Sequence, residues 1–383
     1  MIDYAARLDK ARARMEANNI GLMFLPPGAN LFYLTGFRRQ ENDNTDANHY
    51  GDWAVGAWIG LGDGITMTSP RMGGGFFQSE VEGKPWFGEV RTIVETEDPD
   101  EAMAEVLGRF DLAGKKVALD DRAWAKTALS FARLLPDAEF VLASLVTDPL
   151  RMIKEDEALE RMRQAGRITD VAFQAAMARL KLGVTELEIA KEIDYQLKAG
   201  GAEYTSFVTG VRFSGSEQRG MGVGRVSERS LMPGDCITFD FGCVFKGYCS
   251  DFGRSAYAGQ PPAELLKVHD TVLLAQSEAM QAMKSGQITA SEANAVARGV
   301  IEAEGYGDYF GHRLGHGIGI TVHEEPFLDN VNQTVLESNM TFTVEPSVYI
   351  PGRLGNRVED VVQVTEAGAI SLYDTGHQLY IVD

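Results

Sequence analysis

The spacing of hydrophobic residues changes several times along the chain, and each change predicts a new element. Helical spacing alternates with short apolar runs typical of strands over the first 146 or so residues. This alternation predicts an α/β domain, and the long polar segment Arg38 to Asp52 is predicted to be a loop. The predicted helices are Tyr4 to Ala17, Pro99 to Arg109 and Arg122 to Leu135; the predicted strands are Ile20 to Leu25, Asn30 to Gly36, Trp53 to Gly60, Ile65 to Ser69, Lys116 to Leu119 and Glu139 to Leu142.

A second domain is predicted to begin at Asp148-Pro149-Leu150-Arg151, just before a long helix from Glu155 to Arg179. Two later helices are each predicted to open with a Thr-x-x-Glu capping box, at Thr185 to Glu188 and at Thr289 to Glu292. Each of them follows a long helix and precedes strands, which indicates two αα-ββ halves around a shared sheet. The predicted domains are residues 1–147 and 148–383.

Composition narrows the possible partners and compartment. The net charge of -19 argues against a nucleic-acid or anionic-membrane partner. No apolar run approaches the roughly 18 residues of a membrane span, and the start has no signal-peptide pattern, so a cytoplasmic protein is expected. Three cysteines fit a reducing compartment, although Cys243 and Cys249 could approach each other across a hairpin and form a disulfide.

The segment Cys236 to Phe241 alternates polar and apolar residues in the manner of a strand with one polar face. Asp240 lies on that polar face. A chain reversal about Phe245-Lys246 would place Asp240 directly opposite Asp251, where two carboxylates repel each other. A divalent cation between them is a common solution, because hard cations prefer carboxylate oxygens.

The same pattern recurs near the C-terminus. A reversal centred on Gly352 would place Glu345 opposite Glu359, and Arg357 shares a face with Glu359. The sequence between these two hairpins contains three of the six histidines, namely His312, His316 and His323. Four acids and a nearby histidine can hold two metal ions. The other histidines outside the loop, His269 and His377, lie in no motif and are expected to be structural or exposed.

The four acids and His316 follow one another in an order that resembles the pita-bread metallopeptidases. The sequence strings around them that carry the resemblance are Asp-Phe-Gly, Gly-His-Gly-Ile-Gly, Val-His-Glu-Glu-Pro, Thr-Val-Glu-Pro and Arg-Val-Glu-Asp. This family includes methionine aminopeptidase, aminopeptidase P, prolidase and the metal-free creatinase. The resemblance covers roughly residues 150 to 370, and Asn30 to Phe37 is similar to the amino-terminal domain of the creatinase and prolidase branch. It implies a smaller creatinase-like α/β domain at the amino terminus, followed along the chain by a pita-bread α+β catalytic domain.

The resemblance also implies roles for individual residues. Asp240 would bind one ion, Asp251 and Glu359 would bridge both ions, and His316 and Glu345 would hold the other. Glu345 would also carry a proton from the attacking water to the leaving amine, and His323 would hold the substrate carbonyl. His312 and Arg357 would line the prolyl and carboxylate side of the pocket, unless Arg357 instead pairs with a ligand carboxylate. The donor set suits manganese, cobalt, iron or zinc, and the sequence does not choose among them.

The implied function is a dinuclear metal hydrolase of the Xaa-Pro dipeptidase or aminopeptidase P type, acting on a small peptide as a homodimer. One departure leaves an alternative open: Val223 stands where the peptidase branch carries a substrate-binding histidine, and the preceding string from Arg212 to Arg219 is also unlike that of prolidases. A non-peptide amide hydrolase or a lyase on the same fold would fit that change. A non-catalytic binding module and a metal-free creatinase-like enzyme are disfavoured by the five retained ligands. A further hypothesis is that the loop containing His49 reaches the active site of another subunit.

Overall fold

The computed structural model of the chain describes residues 2–38, 50–62, 64–215 and 226–383. It divides into two compact units, Met1–Arg151 and Met152–Asp383. Two sequence predictions, the role of His49 and the substitution at Val223, lie outside the described residues. No helix in the described ranges is long and apolar enough to cross a membrane.

The first unit is an α/β domain, as predicted. Within its described residues, six strands form one mixed sheet in the order β4-β3-β2-β1-β5-β6. Apolar side chains from the sheet and from the helices α4 and α5 form a core that includes Phe24, Trp58, Met103 and Phe131. The elements are α1 Tyr4–Ala17, β1 Ile20–Leu25, α2 Ala29–Thr35, β2 Gly56–Gly60, β3 Ile65–Pro70, α3 Gly74–Val81, β4 Phe87–Ile93, α4 Pro99–Leu107, β5 Lys116–Leu119, α5 Ala125–Leu134, β6 Phe140–Leu142 and α6 Ser144–Met152.

The predicted strand Asn30 to Gly36 was wrong, because these residues form the helix α2. Its side chains from Asn30 to Thr35 are all buried, so neither face shows a polar stripe. A short apolar run without a period fits a buried helix as well as a buried strand. Gly36 ends the helix in the left-handed conformation at φ 67°, which glycine adopts without steric cost.

The second unit contains the two predicted pairs of helices. These are α7 Asp156–Arg179 with α8 Glu186–Ala199, and α9 Ala263–Ala282 with α10 Ala290–Ala303. Both predicted capping boxes are present. The hydroxyls of Thr185 and Thr289 accept hydrogen bonds from the backbone N–H groups of Glu188 and Glu292, respectively. The carboxylate of each glutamate accepts a hydrogen bond from the backbone N–H of its threonine. Each pair of helices is followed by strands, which agrees with the predicted αα-ββ halves.

The strands of the second unit form several sheets among the described residues. A four-stranded sheet has the order β20-β12-β9-β8, a five-stranded sheet has the order β14-β13-β15-β18-β19, and two smaller sheets have the orders β11-β10-β7 and β16-β17. The strands are β7 Tyr204–Thr205, β8 Gly210–Ser214, β9 Cys236–Phe241, β10 Cys243–Phe245, β11 Tyr248–Cys249, β12 Phe252–Ala258, β13 Gly315–Gly317, β14 Glu324–Leu328, β15 Thr341–Val344, β16 Ser347–Ile350, β17 Leu354–Arg357, β18 Asp360–Thr365, β19 Gly368–Ser371 and β20 Tyr380–Val382.

Candidate metal centre and active site

The first hairpin has a different register from the predicted one. Asp240 on β9 lies opposite Gly253 on β12, so the prediction that it faces Asp251 was wrong. The chain reverses at Lys246 and Gly247, whose φ angles of 47° and 81° are both positive. This is the two-residue hairpin turn that matches the twist of the strands, and glycine at its second position is the sequence signal for it.

The corrected register still brings the acids together, because a shift of two residues keeps each side chain on its original face. Carboxylate oxygens of Asp240, Asp251 and Glu359 lie within 4.8 Å of one another. Gly253 makes this approach possible: a Cβ atom at that position would lie 2.6 Å from Oε2 of Glu359. The small residue opposite Asp240 therefore leaves room for the third carboxylate.

The predicted register of the second hairpin is confirmed. Ser347 pairs with Arg357 across β16 and β17, and Val344 pairs with Asp360 across β15 and β18. Both ladders keep the register centred on Gly352, so Glu345 and Glu359 occupy opposed positions between them. Glu345 also accepts a hydrogen bond from the hydroxyl of Thr343 at 3.1 Å.

His316 lies on β13 between two glycines, and its imidazole is oriented by the backbone. A Cβ atom at Gly315 would lie 1.9 Å from the carbonyl oxygen of Thr343, so only glycine allows β13 to approach β15 so closely. Nδ1 of His316 donates to the carbonyl oxygen of Gly317 at 3.0 Å, which leaves Nε2 unprotonated in the neutral ring. Burial, with a smaller effect of His323, lowers the pKa of His316 to about 3, so the neutral form predominates near pH 7.

The unprotonated Nε2 of His316 points into the space between the acids. It lies 3.6 Å from Oδ2 of Asp251 and 3.5 Å from Oε1 of Glu345, at or beyond the limit of a good hydrogen bond. Oδ1 of Asp251 is buried and has no hydrogen-bond partner among the described residues. The structure thus brings the side chains of all five predicted metal ligands close together.

Electrostatics make this cluster unfavourable without a cation. Burial raises the pKa of Asp251 well above its ordinary value, and the nearby charges of Asp240 and Glu345 raise it further. Burial raises the pKa of Glu359 in the same way, with added repulsion from Asp251. A set of oxygen ligands with one neutral imidazole and an unsatisfied carboxylate oxygen fits a divalent metal ion.

Arg357 supplies part of the missing positive charge. Its Nη1 lies 2.7 Å from Oδ2 of Asp240 and 3.4 Å from Oε2 of Glu359, and its Nη2 lies 3.7 Å from Oε2 of Glu345. The alternative that the sequence left open, pairing of Arg357 with ligand carboxylates, is therefore present in the structure.

A cavity of about 490 Å³ opens beside the acids. This volume is within the usual range for small-molecule sites. Its lining includes Arg212, Asp240, Tyr309, His312, Tyr349 and Arg357. The two residues predicted to line the substrate pocket, His312 and Arg357, are thus both at this cavity.

The ring nitrogens of His312 are both occupied by neighbouring atoms of the chain. Nδ1 donates to the carbonyl oxygen of Arg313 at 2.7 Å, and Nε2 lies 2.5 Å from the hydroxyl of Ser347. Burial lowers the pKa of His312, so Nε2 accepts the serine proton. His312 therefore presents a neutral ring rather than a charge to the cavity.

His323 lies against the ring of His316 on the exposed side of the site. The two ring centroids are 4.0 Å apart and the planes are tilted by 56°. This position places a second, exposed imidazole beside His316. Cys243 and Cys249 are buried and form no disulfide with each other, and Cys249 lies opposite Val244 in the ladder of β10 and β11.

Several residues of the site were not predicted. Ser347 and Tyr349 follow Glu345 at intervals of two, so the period of a strand could have placed them on the same face. Arg212 lies opposite Thr238 in the ladder of β8 and β9 and reaches the cavity from there. No local pattern indicates Arg212, because its place depends on a pairing between segments distant in sequence.

Comparison with known proteins identifies the same two parts of the chain. Residues 160–366 match the model of metallopeptidase family M24, and residues 7–153 match that of the creatinase/prolidase N-terminal domain. An Xaa-Pro dipeptidase of Lactobacillus delbrueckii subsp. lactis is 36% identical over 79% of this chain and 82% of its own length.

Solved structures give a consistent result. The prolidase from Thermococcus sibiricus superposes with a TM-score of 0.87 and 30% identity, covering 100% of both chains. The dipeptidase PepE from Mycobacterium ulcerans has a TM-score of 0.85 and 32% identity, covering 99% of this chain and 98% of its own. The predicted family, fold class and type of enzyme, a metal-dependent hydrolase, are confirmed. The chain belongs to metallopeptidase family M24 and carries the creatinase/prolidase type of amino-terminal domain.

Proposed function

We propose that this chain is an Xaa-Pro dipeptidase that uses two divalent metal ions. The observation that carries the proposal is the convergence of four carboxylates and the neutral His316 beside a cavity of about 490 Å³. Relatives similar over most of the chain are named Xaa-Pro dipeptidase and prolidase. A cavity of this size suits a small peptide.

The metal ligands in this proposal are Asp240, Asp251, His316, Glu345 and Glu359. The donor set is compatible with manganese, cobalt, iron or zinc, and manganese is the first ion to test. Bound ions would lower the pKa of a water molecule and stabilise negative charge on the substrate carbonyl. Arg357, which contacts Asp240, would hold that carboxylate in place and present its remaining surface to the substrate.

The chain itself would move the proton and orient the substrate. Glu345 is the proposed proton carrier, because one carboxylate oxygen is fixed by Thr343 at 3.1 Å while the group remains at the site. His323, on the exposed side of His316, would donate a hydrogen bond to the carbonyl of the bond to be cleaved. His312, held by Ser347, would form an uncharged wall for the proline ring.

The proposal is tested by removing metal, restoring Mn²⁺ and measuring hydrolysis of three substrates: an Xaa-Pro dipeptide, an Xaa-Pro tripeptide and a blocked dipeptide amide. We expect metal-dependent turnover of the dipeptide and much lower activity on the other two. Preference for the tripeptide would indicate an aminopeptidase P type instead. No turnover of any Xaa-Pro peptide by a metal-loaded protein would contradict the proposal and favour the non-peptide hydrolase or lyase suggested by Val223.

Replacing His323 with alanine is expected to lower kcat on the dipeptide by about 10²- to 10³-fold, the usual cost of losing one hydrogen bond to the developing oxyanion. Metal content, measured by elemental analysis, should remain that of the parent. The His323→Gln variant keeps a donor and should recover part of the activity. Loss of metal in His323→Ala, or unchanged kcat, would show that His323 has a different role.

The assembly and compartment are also proposals. A homodimer is proposed from the family resemblance, and light scattering of the purified protein tests it. A cytoplasmic location is proposed because the three cysteines, all within the described residues, are buried and form no disulfide, as expected in a reducing compartment. Cell fractionation with an antibody to the chain tests the location.

A further inference from the structure

Asp251 lacks the strand partner that its position would ordinarily provide. The hairpin pairs Phe241 with Phe252 on one side of it and Val244 with Cys249 on the other, and Asp251 lies between these two paired runs. Its backbone N–H and C=O therefore need another partner, because buried peptide groups are almost always hydrogen-bonded.

A single hydroxyl group forms hydrogen bonds with both of these backbone groups. The hydroxyl of Tyr373 donates to the carbonyl oxygen of Asp251 at 2.5 Å and accepts from its N–H at 2.9 Å. One hydroxyl has one proton to donate and lone pairs to accept, so it can make both contacts at once. Tyr373 thus fixes the peptide on both sides of the Asp251 side chain.

Tyr373 is itself held firmly. Its ring is buried and packs edge-on against Phe252, with ring centroids 5.2 Å apart. Its backbone N–H donates to the hydroxyl of Ser371 at 3.1 Å. The two following residues, Asp374 and Thr375, donate their N–H groups to the carboxylate of Asp170 on α7.

The same segment also reaches the backbone of Glu359. The buried guanidinium of Arg254 donates to the carbonyl oxygens of Glu359 at 2.7 Å, Thr375 at 3.0 Å and Gly376 at 3.0 Å. Residues 373–376 therefore contact the backbone of Asp251 directly and that of Glu359 through Arg254, and both of these residues are proposed metal ligands.

We propose that Tyr373 is a positioning residue for the metal centre, which holds the Asp251 carboxylate in the orientation that binding requires. The inference rests on the proposed function of Asp251 as a ligand. Among the described residues, both hydrogen bonds of the hydroxyl are to the backbone of Asp251, so the hydroxyl acts through that residue and not on the substrate.

The test is the Tyr373→Phe variant, which removes only the hydroxyl. Metal-free protein is titrated with Mn²⁺ by calorimetry, and free Mn²⁺ is followed by electron paramagnetic resonance. We expect the affinity to fall by about 10- to 100-fold, the usual effect of losing a group that orients a ligand. At saturating Mn²⁺, KM for the dipeptide should stay close to that of the parent.

The matched control is Tyr33→Phe, which removes a hydroxyl that donates to the carbonyl oxygen of Leu150 at 2.6 Å in the first unit. It should bind Mn²⁺ as the parent does. Equal Mn²⁺ affinity in Tyr373→Phe and the control would overturn the inference. If Tyr373→Phe does not fold, Ser371→Ala decides: weaker Mn²⁺ binding supports the positioning role, and unchanged binding overturns it.

These outcomes are distinct from failure of the proposed function. A parent protein that binds Mn²⁺ but cleaves no Xaa-Pro peptide contradicts the proposed substrate, while the affinity difference between the two tyrosine variants is still measurable. A parent that cleaves the dipeptide, with Mn²⁺ affinity unaffected by Tyr373→Phe, contradicts only the positioning role.

Discussion

Replacing Asp251 with asparagine is expected to abolish metal binding and to lower kcat/KM on an Xaa-Pro dipeptide by about 10³-fold or more. Asparagine has nearly the same shape but carries no charge, so one of the oxygens within 4.8 Å of Asp240 and Glu359 is lost as an anionic ligand. Charge stabilisation by a bound ion contributes several kcal/mol to such a reaction, which accounts for the size of the loss. Elemental analysis and steady-state kinetics measure the two effects.

The same variant separates a role in metal binding from a role in folding. Without metal, the buried carboxylates repel one another, so metal-free Asp251→Asn should be at least as heat-stable as the metal-free parent. Added Mn²⁺ should raise the Tm of the parent and leave that of the variant unchanged, because only binding to the folded state stabilises it. Asp270→Asn, an exposed change on α9, is the control. If Asp251→Asn kept its metal and its activity, Asp251 would not be a metal ligand.

The candidate site could be predicted from the sequence to the extent that its signals are local. Alternation along single strands places Asp240 and Glu345 on polar faces, and the half-buried Asp240 between buried Phe239 and Phe241 agrees with this. The second hairpin has its centre marked by Pro351-Gly352, and its register is correct. These features need no information from distant parts of the chain.

The errors arose where a local signal has two interpretations. In the first hairpin the reversal was placed two residues out of register, although Gly247 at φ 81° is the residue that the turn requires. In the first unit the apolar run that forms α2 has no polar face in either conformation, so its period does not distinguish a helix from a strand. The error in the first hairpin did not change which residues are predicted at the site, because a register shift of two residues keeps every side chain on its original face of the sheet.

The side chains that hydrogen-bond to the backbone at or next to the proposed ligands could not be predicted from the sequence. Tyr373 and Asp251 are 122 residues apart, and no spacing connects them. Gln276 on α9 is another example: its amide donates to the carbonyl oxygens of Val344 at 3.1 Å and Val358 at 3.4 Å, the residues just before Glu345 and Glu359. A buried glutamine on a helix is indistinguishable in sequence from an exposed one. Such contacts depend on the packing of whole elements.

Replacing Arg254 with methionine is expected to destabilise the second unit by about 3–5 kcal/mol, the cost of removing one partner of a buried ion pair. Arg254 and Asp360 are both 0% exposed, with Nη2 and Oδ1 2.7 Å apart. Burial opposes the charge on Asp360, but Arg254 and His377 lower its pKa to about 2, so Asp360 is ionised near pH 7 when Arg254 is present. Without Arg254, this buried carboxyl group loses its buried positive partner. Tm should fall by roughly 6–20 °C for a unit of this size, as measured by calorimetry.

Two further variants show whether the unpaired charge causes the loss. The double variant Arg254→Met with Asp360→Asn carries no buried charge at the pair and should be more stable than Arg254→Met alone. Arg167→Met removes an exposed arginine paired with Glu160 on α7, so its effect should stay within about 0.5 kcal/mol. A Tm for Arg254→Met equal to that of Arg167→Met would mean that the guanidinium, despite its bonds to the backbone around Glu359, does not hold this part of the fold together.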